Sequence, residues 1–165
     1  MRADRTAAVM GLWLGGLATA LAADTVPYHN DRFGFTLDVP LGWASDPPPA
    51  NGDGATYRSP DRKAFVSAFG RIAQSHFADE LKDAFAEHDG EVDTLKRSGK
   101  DWVVVSGLRQ GTIFYRRGVR SFLGAVWNEV EIEYPQARKK EFDALVAKIA
   151  ASLTPGIGAD TGPCR

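Results

Sequence analysis

The amino-acid sequence predicts an α+β domain: an antiparallel β-sheet of about six strands with helices packed on both faces. Three observations predict it. Residues 32–39 and 126–134 alternate apolar and polar side chains with the period of two that marks half-buried strands. Residues 63–72 put Phe65 and Phe69 on one side and Ala64, Val66, Ala68 and Ile72 on the other, so this strand is apolar on both faces and needs cover on both. Two segments with helical spacing, residues 75–88 and 135–152, supply amphipathic covers.

The chain has 165 residues, 44% hydrophobic and 25% charged, the profile of one ordinary globular domain. Residues 1–23 read as a cleaved secretory signal peptide. Arg2 and Arg5 give a basic start, residues 7–21 an apolar run, and Ala20-Leu21-Ala22 a small-x-small cleavage site. The run is shorter than the roughly 20 apolar residues of a spanning helix, which makes an uncleaved anchor the weaker alternative. Residues 24–154 are then the single domain and residues 155–165 a flexible tail. A domain of about 140 residues buries roughly two-thirds of its unfolded surface, so stability calls for no metal or disulfide. The only cysteine, Cys164, has no internal partner; an exposed, incidental tail thiol is the simpler reading, beside pairing with another chain or with a small thiol. With 20 basic and 21 acidic residues, the chain lacks the positive excess that nucleic acid demands.

Taken in order, residues 24–29 are a lead-in and Asn30-Asp31 a turn before the strand at 32–39, which Pro40-Leu41-Gly42-Trp43 stops. Trp43 has more apolar surface to bury than to display and should fold back on the sheet. Residues 45–54, SDPPPANGDG, form a stiff arm and a tight turn. A short strand follows at 55–59, then a turn at Pro60-Asp61-Arg62 and the central strand at 63–72. Ser75 is the expected N-cap of the first helix, with Asp79 and Glu80 in its early turns, and Asp89-Gly90 ends it. Residues 91–97, 102–105 and 112–117 read as an antiparallel meander, with turns at Ser98-Gly99-Lys100-Asp101 and Arg109-Gln110-Gly111. Residues 118–124 are a second irregular connection before the strand at 126–134. Pro135 suits the first turn of the last helix, whose stripe is Phe142, Leu145, Val146, Ile149 and Leu153.

No constellation of residues specifies a reaction, and the sequence designates no catalytic, cofactor or metal residue. His76 and Glu80 lie one helical turn apart, but two ligands do not make a metal site. The Asn51–Asp53 turn lacks the alternating ligands and terminal Glu of a calcium loop. There is no G-x-S-x-G elbow and no phosphate-binding glycine loop in the mature part. Glu129, Glu131 and Glu133 line one face of a strand opposite Val130, Ile132 and Tyr134; their simpler reading is a solvent-facing row paired across to Arg116 and Arg120. Recognition residues concentrate on loops held by a rigid sheet, which points to residues 43–58 and 118–124. Trp43, Asn51, Asp53, Tyr57 and Arg58 are the candidate ligand- or partner-binding residues, although Trp43 and Tyr57 suit core cover more simply.

The run Tyr28-His29-Asn30-Asp31-Arg32-Phe33-Gly34-Phe35, with Val39-Pro40 and Gly42-Trp43 after it, resembles the start of PsbP-like domains. That superfamily includes the Mog-type Ran-binding proteins and the bacterial DcrB-like proteins. The runs at 102–107, 112–115 and 133–135 are similar to small exported bacterial proteins of the same layout. The resemblance implies an α/β/α sandwich and a member that binds or stabilises larger assemblies; it carries over no functional residue. The expectation is therefore a non-enzymatic accessory or binding protein of the bacterial envelope, periplasmic or secreted, without a membrane span after signal cleavage. Its partner would be another envelope protein or a small ligand, not nucleic acid. The alternative is an envelope hydrolase built from residues such as His76 and Glu80 or the glutamate row.

Overall fold

The computed structural model describes residues 24–86 and 88–156. The expected signal peptide, Cys164 and nearly all of the expected tail lie outside the described residues. Among the described residues, nine strands form two sheets. Strands β1 (Thr25–His29) and β2 (Thr36–Pro40) make a two-stranded antiparallel ribbon. The large sheet takes β3 (Ala44–Ser45), β4 (Gly54–Arg58), β5 (Phe65–Ile72), β6 (Glu91–Ser98), β7 (Trp102–Arg109), β8 (Thr112–Ser121) and β9 (Val126–Pro135). Its order is β3-β4-β5-β9-β8-β7-β6, antiparallel throughout. Two helices, α1 (Phe77–Ala84) and α2 (Lys139–Ser152), complete the fold.

The sheet is expected to have about six strands; two of the nine observed strands, β1 and β3, have no counterpart among the segments read as strands. The lead-in at residues 25–29 pairs with β2, and Ala44–Ser45 adds a short edge to β4. The strand predicted at 32–39 is also shorter and belongs to the ribbon, outside the large sheet. Asn30 explains this: its buried side chain accepts the Phe33 N–H at 2.8 Å and donates to the Gly52 carbonyl at 3.0 Å. Those bonds, with Asn30 N–H to Phe35 O at 2.9 Å, fold residues 30–35 into a turn. Phe33 then lies against Gly70 of β5, where an added Cβ would sit 2.4 Å from the ring.

Successive residues of a strand point to opposite sides, and the two helices use alternate sets. On the α2 side, Phe142, Val146, Ile149 and Leu153 pack with Val66, Ala68, Val130, Ile132 and Tyr134 and with Phe35, Leu37 and Val39 of the ribbon. Tyr134 and Phe142 stack at 4.8 Å. On the α1 side, Phe77, Leu81 and Ala84 pack on the smaller set Val103, Val105, Phe114 and Trp127. Phe77 stacks on Trp127 at 5.7 Å.

Helix α1 is shorter than the predicted 75–88. Its N-cap is His76, which makes no side-chain cap bond, and the Ser75 N–H before it donates to the Glu80 carboxylate. Residues 118–121, expected in a loop, continue β8, paired residue by residue with β9 as far as Ser121↔Val126. The predicted loop shrinks to residues 122–125.

Candidate functional site

The α1 side of the sheet is where polar chemistry gathers. Trp127, Glu129, Glu131 and Glu133 of β9 project there, opposite Arg71, Phe69, Ser67 and Phe65 of β5. On the other flank, β8 sets Gly118 opposite Glu129 and Arg116 opposite Glu131. Gly118 is needed for space, since a Cβ there would approach the Trp127 ring to 2.9 Å. Helix α1 covers only the Trp127 end, and between it and the sheet lies a cavity of about 450 Å³. Phe69, Val103 and Val105 give it apolar walls; Arg71, Arg116, Glu129 and Glu131 give it charge. Glu80, Ala84 and His88 reach it from α1 and the chain that follows.

Glu80 anchors the roof. Its side chain is 6% exposed, yet its carboxylate is fully served. Oε1 accepts the N–H groups of Gln74 at 2.6 Å and Ser75 at 3.1 Å, and Oε2 accepts Arg71 Nη1 at 3.4 Å and the Trp127 indole N–H. A buried carboxylate with so many donors ties α1 to β5 and β9 at one point. Arg71 bridges to Glu129, donating from Nε at 3.1 Å and Nη2 at 3.2 Å. Burial is the main cause that raises the Glu129 pKa above the ordinary glutamate range; the nearby Glu80 and Glu131 carboxylates raise it further, against the pull of Arg71.

A second group lies toward the β6 edge. Arg116 donates to both oxygens of Glu91, at 2.9 and 2.6 Å, and to Glu131 at 2.8 Å. Its hydrogen bonds to Glu91 raise its pKa and lower that of Glu91. Arg109 joins Glu91, at 3.1 Å, to Glu133. Burial raises the Glu133 pKa. Five carboxylates, of Glu80, Glu91, Glu129, Glu131 and Glu133, thus share three guanidiniums, of Arg71, Arg109 and Arg116. This ion-pair network sits beside apolar walls.

The expected solvent-facing glutamate row is therefore corrected in two respects. Glu129 and Glu133 are largely covered, and only Glu131 takes an expected partner, Arg116. Arg120 instead lies over the rings of Phe77 and Trp127, at 5.7 and 5.5 Å. His76 is exposed while Glu80 points inward, so the helical pair does not converge. Among the described residues, no group of three His, Cys, Asp or Glu side chains is placed to hold a metal ion.

The predicted loop residues lie elsewhere and divide among themselves. Trp43 and Tyr57 are half-buried against the α2-side core, Trp43 near Phe142 at 6.3 Å and Tyr57 edge-on to Tyr28 at 5.8 Å. Burial raises the Tyr57 pKa. Asn51 donates to Asp53 at 2.6 Å within the tight turn, and Arg58 donates to Asp46 at 2.7 Å above the Phe65 ring. None of the five lines the α1-side cavity. Of the cavity residues, Glu80 and Arg116 were named from the sequence, but beside His76 and as a partner of the glutamate row; Arg71 was missed, although it left a signal as a lone charge among Phe69, Gly70 and Ile72.

Comparison with solved structures turns on this layout of ribbon, seven-stranded sheet and two helices. The solution structure of cyanobacterial PsbP (CyanoP) from Synechocystis superposes with a TM-score of 0.57 over 86% of this chain and 98% of its own, at 13% identity. The chain has the PsbP-like fold. Within that fold, the Ran-binding protein Mog1p of Saccharomyces cerevisiae is also similar, with a TM-score of 0.55 and 8% identity over 84% of this chain and 97% of its own. So is LpqN of Mycobacterium tuberculosis, a protein involved in cell envelope biogenesis, with a TM-score of 0.50 and 16% identity over 81% and 91%. No family model and no curated protein matches the sequence. No helix among the described residues is long and apolar enough to cross a membrane.

Proposed function

We propose that this chain is a non-enzymatic accessory or binding protein of the bacterial cell envelope, exported by removal of residues 1–23, and that the α1-side cavity is its small-ligand site. The cavity carries the reading. At about 450 Å³ it has the size of a small-molecule pocket, with apolar walls and a few convergent polar groups. Its carboxylates Glu80, Glu129 and Glu131 each engage a guanidinium, which suits holding a ligand better than exchanging protons with one. The domain at 24–154 is a helix–sheet–helix sandwich in this reading, supported by the alternate residue sets under α1 and α2. The proline-rich loop with Trp43, Asn51, Asp53, Tyr57 and Arg58 is the surface for a protein partner. LpqN's involvement in cell envelope biogenesis supports the compartment.

An envelope hydrolase is the second reading, and the raised pKa of Glu129 favours it, since a covered carboxyl of that kind can act as a general acid. One experiment separates the two. Protein recovered from bacterial cells is analysed by native mass spectrometry, beside Ala84→Phe, which fills the cavity from its roof, and Glu129→Gln. Binding is expected to show as a small molecule on the parent protein that Ala84→Phe excludes and Glu129→Gln retains unaltered. No bound molecule on any of the three, or the same molecule on Ala84→Phe, would overturn the assignment of the cavity. Accumulation of an intact precursor on Glu129→Gln alone would favour the hydrolase.

A further inference from the structure

The tip of the β8–β9 hairpin breaks two rules at once. Phe122 and Leu123 have φ of 51° and 54°, and Gly124 follows at 88°. Glycine adopts such left-handed backbone freely, but bulky side chains are crowded there. These same residues are apolar and exposed, Leu123 completely and Phe122 by 46%. Ile72, opposite Val126 at the end of β5, is a third exposed apolar residue at this end of the sheet. The backbone is pinned: the Ala125 N–H bonds to Phe122 O at 3.0 Å, the Ala73 N–H to Ala125 O at 2.8 Å, and the Arg120 N–H to Asp101 O at 2.7 Å. So fixed, the turn holds both side chains away from the core.

Cations surround it. Lys100 and Arg120 share with Leu123 one surface depression, in which Asp101 is the single acid. Arg97 and Lys100 are exposed on the adjacent β6–β7 hairpin, and neither has an ion-pair partner among the described residues. This local positive character stands out in a chain of net charge −1.

We propose that this end of the sheet docks on an anionic lipid bilayer, with Phe122 and Leu123 entering the boundary between headgroups and acyl chains and Arg97 and Lys100 over the phosphates. Apolar side chains collared by cations suit that boundary. The size of the patch separates a bilayer from a protein receptor. A stable protein interface covers about 800 Å² on each partner, more than three side chains at a hairpin end present. A bilayer needs only a few inserted side chains and the attraction of the surface. The docking is peripheral and reversible.

The test is sedimentation with vesicles containing phosphatidylglycerol and with vesicles of phosphatidylcholine alone, using the protein as recovered from cells. Phe122→Asn combined with Leu123→Gly supplies the residues a left-handed hairpin turn prefers. This double variant is expected to melt at higher temperature than the parent while binding phosphatidylglycerol vesicles about thirty-fold more weakly or worse. Lys100→Glu is expected to weaken binding several-fold, and the parent's binding is expected to fall as salt is raised. The proposal is overturned if the parent does not sediment with phosphatidylglycerol vesicles, if it binds phosphatidylcholine vesicles equally well, or if the double variant binds as the parent does.

Discussion

The two sides of the large sheet are built from the same strands and differ in almost everything else. On the α2 side, Phe35, Leu37, Val66, Ile132 and Ile149 are at most 1% exposed, in a continuous apolar layer between the strands and the helix. On the α1 side, an eight-residue helix covers only Val103, Val105, Phe114 and Trp127, and charged residues occupy the rest beside an open cavity. Apolar burial is the dominant favourable term in folding, while buried ion pairs add little net stability against desolvation. The α2 side therefore holds the fold together, and the α1 side, with its open cavity, is the side proposed to take a ligand.

The contrast can be broken by substitution. Phe35→Ala, on the α2 side, is expected to cost about 4 kcal/mol in urea unfolding, because a closely packed core relaxes little around a missing ring. A cost near 1 kcal/mol would mean that this side is not the stabilising one. Glu80→Ala strands the Trp127 indole, two backbone N–H groups and part of Arg71, and is expected to cost about 3 kcal/mol. Much of that loss is expected to be local, read as faster amide exchange in α1 with α2 unchanged.

Smaller effects sharpen the difference within the α1 side. Glu91→Gln removes the charge that Arg116 grips with two hydrogen bonds and is expected to cost about 2 kcal/mol at neutral pH. Glu129→Gln is expected to change stability by no more than about 0.5 kcal/mol, because the ionised form is already disfavoured by burial. Their pH dependences have opposite signs. Glu91 has a lowered pKa, so its contribution is present above the ordinary value of 4.5 and is lost as pH falls through the lower folded value. Glu129 has a raised pKa, so its contribution is complete below 4.5 and is lost as pH rises through the folded value. Stability measured against pH should flatten below 4.5 in Glu91→Gln and above 4.5 in Glu129→Gln. The opposite assignment would mean that the ion pairs are drawn wrongly.

How much of this was legible in the sequence follows from what periodicity can and cannot see. The α2-side stripe of Phe142, Val146, Ile149 and Leu153 and the alternation in β9 are local patterns, and both appear in the packing. The ribbon was not legible, because Asn30 diverts the chain through side-chain bonds to residues 3 and 22 positions away. The cavity was hidden for a similar reason. Arg71 meets Glu129 across 58 residues through the β5–β9 register, and Trp127 meets Glu80 across 47 through the packing of α1 on the sheet. The row of glutamates was visible, but its facing side was not, since a short helix decides whether such a row meets water or a roof. The Phe122-Leu123 tip falls within the irregular connection expected at 118–124, but its left-handed backbone was not legible, because both residues look like strand or core formers and poor turn formers.

Hydrogen exchange followed by mass spectrometry, with and without a small-molecule extract of bacterial envelopes, tests most directly whether the α1 side is the binding side. The expected result is fast exchange in residues 72–84 and slow exchange in α2 without the extract, then marked slowing in residues 72–84 alone when it is added. Equal protection of α1 and α2, with no change in residues 72–84 on adding the extract, would contradict it.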